Sequence, residues 1–76
     1  MSKMSNQNVV KDASGNLSII PAGSSTNATI VNSLTVNKEG SSNNGKTGAI
    51  ENIVGDMVTL KFADNTYKRY SLSNLR

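Results

Sequence analysis

The chain has 76 residues, a formal net charge of +3, and neither cysteine nor histidine. Its length allows one domain at most, and the two missing residue types exclude disulfides, thiolate metal sites and the commonest general base of enzymes. Hydrophobic residues make up 36% and charged residues only 17% of the chain, so Ser, Asn, Thr and Gly dominate, and this composition favours polar β-structure. A domain this small is only marginally stable alone, so we expect it to need a partner.

The first predicted element is an extended arm over residues 1–16. It has two adjacent apolar residues, Val9 and Val10, and little else to bury. Fixing so long a segment costs roughly 20 kcal/mol of conformational entropy, whereas burying two valines returns only about 3–6 kcal/mol. We therefore expect a partner to order the arm by backbone pairing, with Val9 and Val10 as partner-binding residues.

Residues 17–39 are predicted to form the N-terminal strands. Leu17–Ile20 is a short apolar strand, which Pro21 ends. Alternation of apolar and polar residues predicts a second strand over residues 28–37. The polar Asn32 lies on the otherwise apolar face of that strand and indicates a bend or an open edge. The apolar face is formed by Ala28, Ile30, Leu34 and Val36.

Residues 40–45, rich in Gly, Ser and Asn, are predicted to form a loop. Together with Lys46 and Thr47 they match the string Gly-x-x-x-x-Gly-Lys-Ser/Thr of phosphate-binding loops. That motif functions between a strand and a helix, whereas the β-branched pattern after Gly48 predicts a strand. We therefore interpret the segment as a loop without a nucleotide.

Residues 46–76 are predicted to form the core of the domain as an antiparallel β-meander. Its first strand is Lys46–Val54, whose apolar residues Ile50 and Ile53 have an odd spacing that indicates a bulge or an edge. Gly55-Asp56 predicts a tight turn into the next strand.

The rest of the meander is a clear hairpin followed by a closing turn. Met57–Phe62 alternates apolar and polar residues, and Thr66–Tyr70 returns as the partner strand. The turn between them contains Asn65, a residue type that tolerates positive φ. Residues 71–75 have the spacing of one helical turn under the sheet. The side chains expected to be buried are Ile50, Val58, Leu60, Phe62 and Leu75.

This C-terminal pattern resembles the strands of SH3-like small β-barrels, especially those of the KOW and Tudor types. The resemblance implies five strands, and the missing ones would come from residues 17–37 or from a neighbouring subunit. The expected fold class is all-β, either a small SH3-like barrel or an antiparallel meander with an extended N-terminal arm. The matching segments are Lys46-Thr47-Gly48-Ala49-Ile50, residues 55–62, Asp64-Asn65-Thr66 and residues 70–75.

The resemblance implies two functions, binding of methylated side chains and binding of nucleic acid, and the residues present fit only the second. Tudor-type domains bind methylated side chains in a cage of several aromatic residues. This chain has one Phe and two Tyr, and Phe62 is assigned to the core, so the cage is not carried over. KOW-type domains bind nucleic acid through basic loops and strands, which here implies Lys61, Lys68 and Arg69.

The last strand mixes cations with aromatic residues, as proteins that bind single-stranded nucleic acid do. Alternation places Tyr67 and Arg69 on one face and Lys68 and Tyr70 on the other. A solvated edge strand protected by its charges is the competing interpretation.

The Ser/Asn/Thr-rich first half is similar in texture to segments of bacteriophage fibre, tail and capsid-decoration proteins. We expect a non-enzymatic structural interaction protein, such as a capsid decoration or accessory particle protein, that docks on copies of itself or on a larger capsid-like protein assembly. Its expected location is the virion if the protein is phage-derived and the cytoplasm otherwise. The expected partner-binding residues are Val9, Val10, Lys61, Tyr67, Lys68 and Arg69.

Two alternatives remain open at this point. One is a small basic nucleic-acid-binding SH3-like barrel or phage-encoded regulator, and the other is a minimal enzyme whose site forms at an oligomer axis. The sequence predicts no catalytic residue, cofactor, metal ligand, small-molecule substrate or membrane partner, because acid–base groups are not clustered.

Overall fold

The computed structural model of the protein describes residues 7–76, which form two antiparallel β-sheets. The strand orders are β2-β1-β3 and β4-β5-β6-β7. The all-β class and the antiparallel meander are confirmed, although the two sheets are not closed into a barrel. The elements are β1 (Gln7–Lys11), β2 (Leu17–Pro21), β3 (Thr29–Val31), β4 (Ser33–Thr35), β5 (Thr47–Val54), β6 (Met57–Lys61), β7 (Tyr67–Ser71) and a 3-10 helix (Leu72–Asn74).

Strand β1 lies where the sequence predicted a partner-dependent arm. It is the central strand of the three-stranded sheet, paired with β2 on one side and β3 on the other. The reversal into β2 is stabilised by Asp12, whose Oδ1 accepts hydrogen bonds from the backbone N–H groups of Ser14 and Asn16, both at 2.9 Å. The structure differs from the predicted arm over residues 7–16, because residues 7–11 pair with β2 and residues 9–11 also pair with β3 within the chain. Residues 1–6 lie outside the described residues.

The chain passes from one sheet to the other at Asn32. The strand predicted over residues 28–37 is therefore two strands, β3 and β4, separated by the bend that Asn32 indicated. The bend also inverts the alternation. Ile30 is 54% exposed, and Val31 packs against the core in its place, whereas Leu34 beyond the bend is buried as expected.

The hydrophobic core lies between the two sheets. The predicted burial of Val58, Leu60, Phe62 and Leu75 is confirmed, while Ile50, beside the bulge in β5, is only partly buried. The three-stranded sheet contributes Val9, with partly buried Leu17, Ile19 and Val31 around it. The buried cluster consists of Val9, Leu34, Val36, Ile53, Val58, Leu60, Phe62, Tyr70 and Leu75.

The C-terminal residues return to the outer edge of β4. The backbone N–H of Thr35 donates to the carbonyl oxygen of Arg76 at 2.8 Å, and the N–H of Arg76 donates back at 2.9 Å. Val36 and Leu75 form a further antiparallel bridge. This edge of the four-stranded sheet is thus covered, whereas the structure of residues 7–76 places no strand on the outer side of β7.

The segment that matches a phosphate-loop string leads into a strand. Residues 38–46 form successive turns, and Thr47 begins β5, so the strand–loop–helix context of that motif is not met. Gly48 serves packing instead, because a Cβ atom there would lie 3.0 Å from Leu60 Cβ and 3.1 Å from the Lys61 carbonyl oxygen. Within residues 7–76, no helix is long and apolar enough to cross a membrane.

Replacing Leu60 tests the position of the core. Its side chain is 0% exposed, so we expect Leu60→Ala to lower the free energy of unfolding by about 2–5 kcal/mol. Val54→Ala is the matched control, since Val54 is 55% exposed and its truncation should change stability by no more than about 0.5 kcal/mol. Urea denaturation measures both variants, and an unchanged stability for Leu60→Ala would contradict this core.

Candidate interaction surface

The β6–β7 hairpin brings together the predicted partner-binding residues of the C-terminal half. Its register pairs Lys61 with Tyr67 and Thr59 with Arg69. Residues paired directly across antiparallel strands lie on the same face of the sheet. Lys61, Tyr67 and Arg69 therefore share the outer face of the four-stranded sheet, and we call these three residues the basic hairpin face.

The basic hairpin face combines an exposed aromatic ring with positive charge. Tyr67 is 56% exposed, and the Lys61 Nζ atom lies 5.7 Å from the centroid of its ring, within the range of a cation–π interaction. Lys68 lies on the opposite face of β7 and is also exposed, since β7 is the last strand of the sheet. The edge strand thus carries a cation on each of its faces.

The turn of the hairpin is fixed by local hydrogen bonds. Asn65 adopts the predicted positive φ, at 69°. The Oδ1 atom of Asp64 accepts hydrogen bonds from the Thr66 hydroxyl at 2.6 Å and from its backbone N–H at 3.2 Å. The hydroxyl and then the backbone N–H of Thr66 hold the pKa of Asp64 below its usual value, so this carboxylate is ionised at neutral pH and engaged within the turn.

On the inner side of the hairpin, the Tyr70 hydroxyl anchors the loop of residues 38–46 through hydrogen bonds. It lies 3.2 Å from Ser41 Oγ and accepts a hydrogen bond from Asn43 Nδ2 at 3.1 Å. Burial alone raises the pKa of Tyr70, but the hydrogen bonds with Ser41 and Asn43 and the charge of Lys68 outweigh it and bring that pKa below the ordinary value of 10.0. The predicted alternation of β7 separated Tyr70 from Tyr67 without indicating which of the two faces the core, and nothing local in the sequence indicated the hydrogen-bond partners of Tyr70.

Val9 and Val10 lie away from this surface. They are only 1% and 2% exposed, Val9 in the core between the sheets and Val10 on the other face of β1, beside Ser18 and Ile30. Both edges of β1 are already paired within the chain. The chain itself buries both side chains, which differs from the exposed position that their predicted role in partner binding requires.

A shallow groove on the outer face of the three-stranded sheet was not anticipated from the sequence. It has a volume of about 590 Å³, and its lining includes Val10, Ile20 and Ala28. The exposed Ile30 lies on the same face, paired with Val10. The signal that could have identified this face is Asn32, because the bend that it marks inverts the alternation and turns Ile30 outward.

Comparison of the chain with models of known protein families, with curated proteins and with solved structures finds no match.

Removing one hydroxyl group tests the anchoring of the loop. Tyr70→Phe deletes the hydrogen bonds with Ser41 and Asn43, so we expect a loss of about 1–2 kcal/mol in the free energy of unfolding and faster amide exchange over residues 38–46. Tyr67→Phe removes the same atom from an exposed ring and is the control, with an expected change within about 0.5 kcal/mol. Equal effects of the two variants would contradict the anchoring role.

Proposed function

We propose that this protein is a non-enzymatic interaction protein that docks on an acidic surface of a larger protein assembly. The observation that carries the proposal is the basic hairpin face, where Lys61, Tyr67 and Arg69 lie side by side on an exposed sheet surface. The well-ordered turn and the Tyr70 anchor hold this surface in place before binding. Preformed surfaces lose less conformational entropy on association.

A protein partner fits the composition of the basic hairpin face. Tyr and Arg are the residue types enriched at protein interfaces and among the residues that dominate their binding energy. Surfaces for single-stranded nucleic acid instead combine a basic groove with several aromatic residues that stack on successive bases. Here Tyr67 is the exposed aromatic ring, Tyr70 being buried, which favours a compact contact with protein.

The path of the chain from β4 onward supports the SH3-like form of the fold. Two hairpins are followed by a 3-10 helix, after which Leu75 and Arg76 pair with the edge of β4. In this interpretation β4 to β7 and the final residues supply the five expected strands from within the chain. Strands β1 to β3 are then an additional sheet that covers the core.

A place on a bacteriophage or other virus particle is the specific form of the proposal. It is supported by the Ser/Asn/Thr-rich texture of the first half of the chain. Residues 7–16 form β1 and its turn, so they do not supply a free arm for docking. Docking is therefore assigned to the hairpin.

Nucleic-acid binding is the second candidate, and one observation favours it. Lys61, Lys68 and Arg69 lie on a single hairpin together with Tyr67. If binding were specific, these cations would neutralise phosphates and affinity would fall steeply with salt. The proposed function instead predicts oligonucleotide affinity no tighter than non-specific levels, about 10⁻⁵ M at physiological salt.

The docking role is tested by capturing the partner from a lysate of the source organism and measuring its affinity after purification. We expect the double variant Tyr67→Ala and Arg69→Ala to weaken that affinity by at least about tenfold, because interface Tyr and Arg residues commonly dominate binding. Lys38→Ala is the matched control, since Lys38 is an exposed cation in the loop of residues 38–46, and we expect it to bind as the wild type does.

Two results would contradict the docking proposal. One is a protein partner that binds the double variant as tightly as the wild type. The other is a nanomolar, salt-sensitive complex with DNA or RNA that depends on the same residues, which would establish the second candidate.

A further inference from the structure

We propose that the partner contributes an extended acidic segment that adds to the outer edge of β7 as an antiparallel strand. This inference rests on the proposed function and specifies the chemistry of the partner. Backbone hydrogen bonds along β7 would supply part of the affinity, and side chains on both faces of the edge would supply the selectivity.

Comparison of the four sheet edges singles out β7. The outer edge of β4 is taken by Arg76, through its two hydrogen bonds with Thr35. Strand β3 has only three residues, and β2 ends in Pro21 and carries no charged side chain. Strand β7 has five residues without proline and pairs with β6 in an unbroken register. Among residues 7–76, the outer edge of β7 is therefore the sheet edge that is regular, unpaired and charged.

An open edge strand presents unpaired backbone groups that accept another strand. Both sheets of this protein are built from antiparallel pairs, and antiparallel pairing is slightly the more stable kind. Lys68 and Arg69 oppose pairing between the β7 strands of two copies, because their like charges would come together. The same two cations attract a strand that carries negative charge.

The positions along β7 define which side chains an added strand would carry. Residues opposite Lys68 and Arg69 would lie on opposite faces of the sheet, and acidic side chains at both positions would pair with the cations across the strands. Opposite the exposed Tyr67, a β-branched or other apolar residue would pack against the ring. Opposite Tyr70, whose ring is buried, an apolar residue would extend the apolar inner face of the sheet. The preferred segment therefore has the pattern apolar–acidic–acidic–apolar.

The probe for this inference is a capped synthetic peptide, Ser-Val-Glu-Glu-Ile-Ser, added to the full chain and followed by NMR titration and amide exchange. We expect slower exchange at alternate amides of residues 67–71. Two N-methylated versions of the peptide provide the matched control. One is methylated at the backbone amides that would face β7, and the other at the alternate amides that would face away from it. Methylation of the set that faces β7 should abolish binding, and methylation of the set that faces away should be tolerated.

A charge exchange tests the side-chain pairs. The double variant Lys68→Glu and Arg69→Glu should weaken binding of the Glu-Glu peptide by roughly tenfold or more, and a Lys-Lys version should bind this variant and not the wild type. Such a reversal requires the acidic residues to lie near these two cations.

The inference is overturned if both N-methylated peptides bind equally well or if β7 amides gain no protection. It is also overturned if the peptide protects β2 instead. These failures are distinct from failure of the proposed function, because the captured partner would still depend on Tyr67 and Arg69 if it docks on the hairpin face without adding a strand.

Discussion

The contact between Val9 and the inner face of the four-stranded sheet joins the two halves of this small protein. A chain of this length buries too little apolar surface for either sheet to be stable alone. Strand β1 places Val9 at the centre of the three-stranded sheet, where it faces a cluster that includes Val58 and Leu60. The N-terminal hairpin thereby supplies internally the apolar cover that the composition suggested a partner would have to provide.

This arrangement places the basic hairpin face on the outer side of the four-stranded sheet. Because the inner face is occupied by the core, Lys61, Tyr67 and Arg69 are held outward by the strict alternation of β6 and β7. Tyr70 connects the two sides, since its ring lies in the core and its hydroxyl fastens the loop of residues 38–46. The basic hairpin face is thus a consequence of the same register that builds the core.

The parts of the fold that depend on local pattern could be predicted from the sequence. The hairpin turn at Asn65, the bulge in β5 and the inward residues of β6 follow from turn chemistry and period-2 alternation. The internal pairing of residues 7–11 could not be predicted, because pairing between β1 and β2 is not visible in the polarity of either segment. The exposure of Ile30 was missed because a bend at Asn32 inverts the alternation, and a regular pattern cannot reveal that inversion.

Amide hydrogen exchange of β1 in a verified monomer measures whether the chain completes its own core. If β1 is the central strand of an internal sheet, the amides of Val9 and Val10 should exchange only through global unfolding, far more slowly than those of the exposed loop of residues 25–27. Their protection should not depend on protein concentration. Free exchange of the β1 amides in the monomer, with protection appearing only in a larger assembly, would contradict this structure of the core.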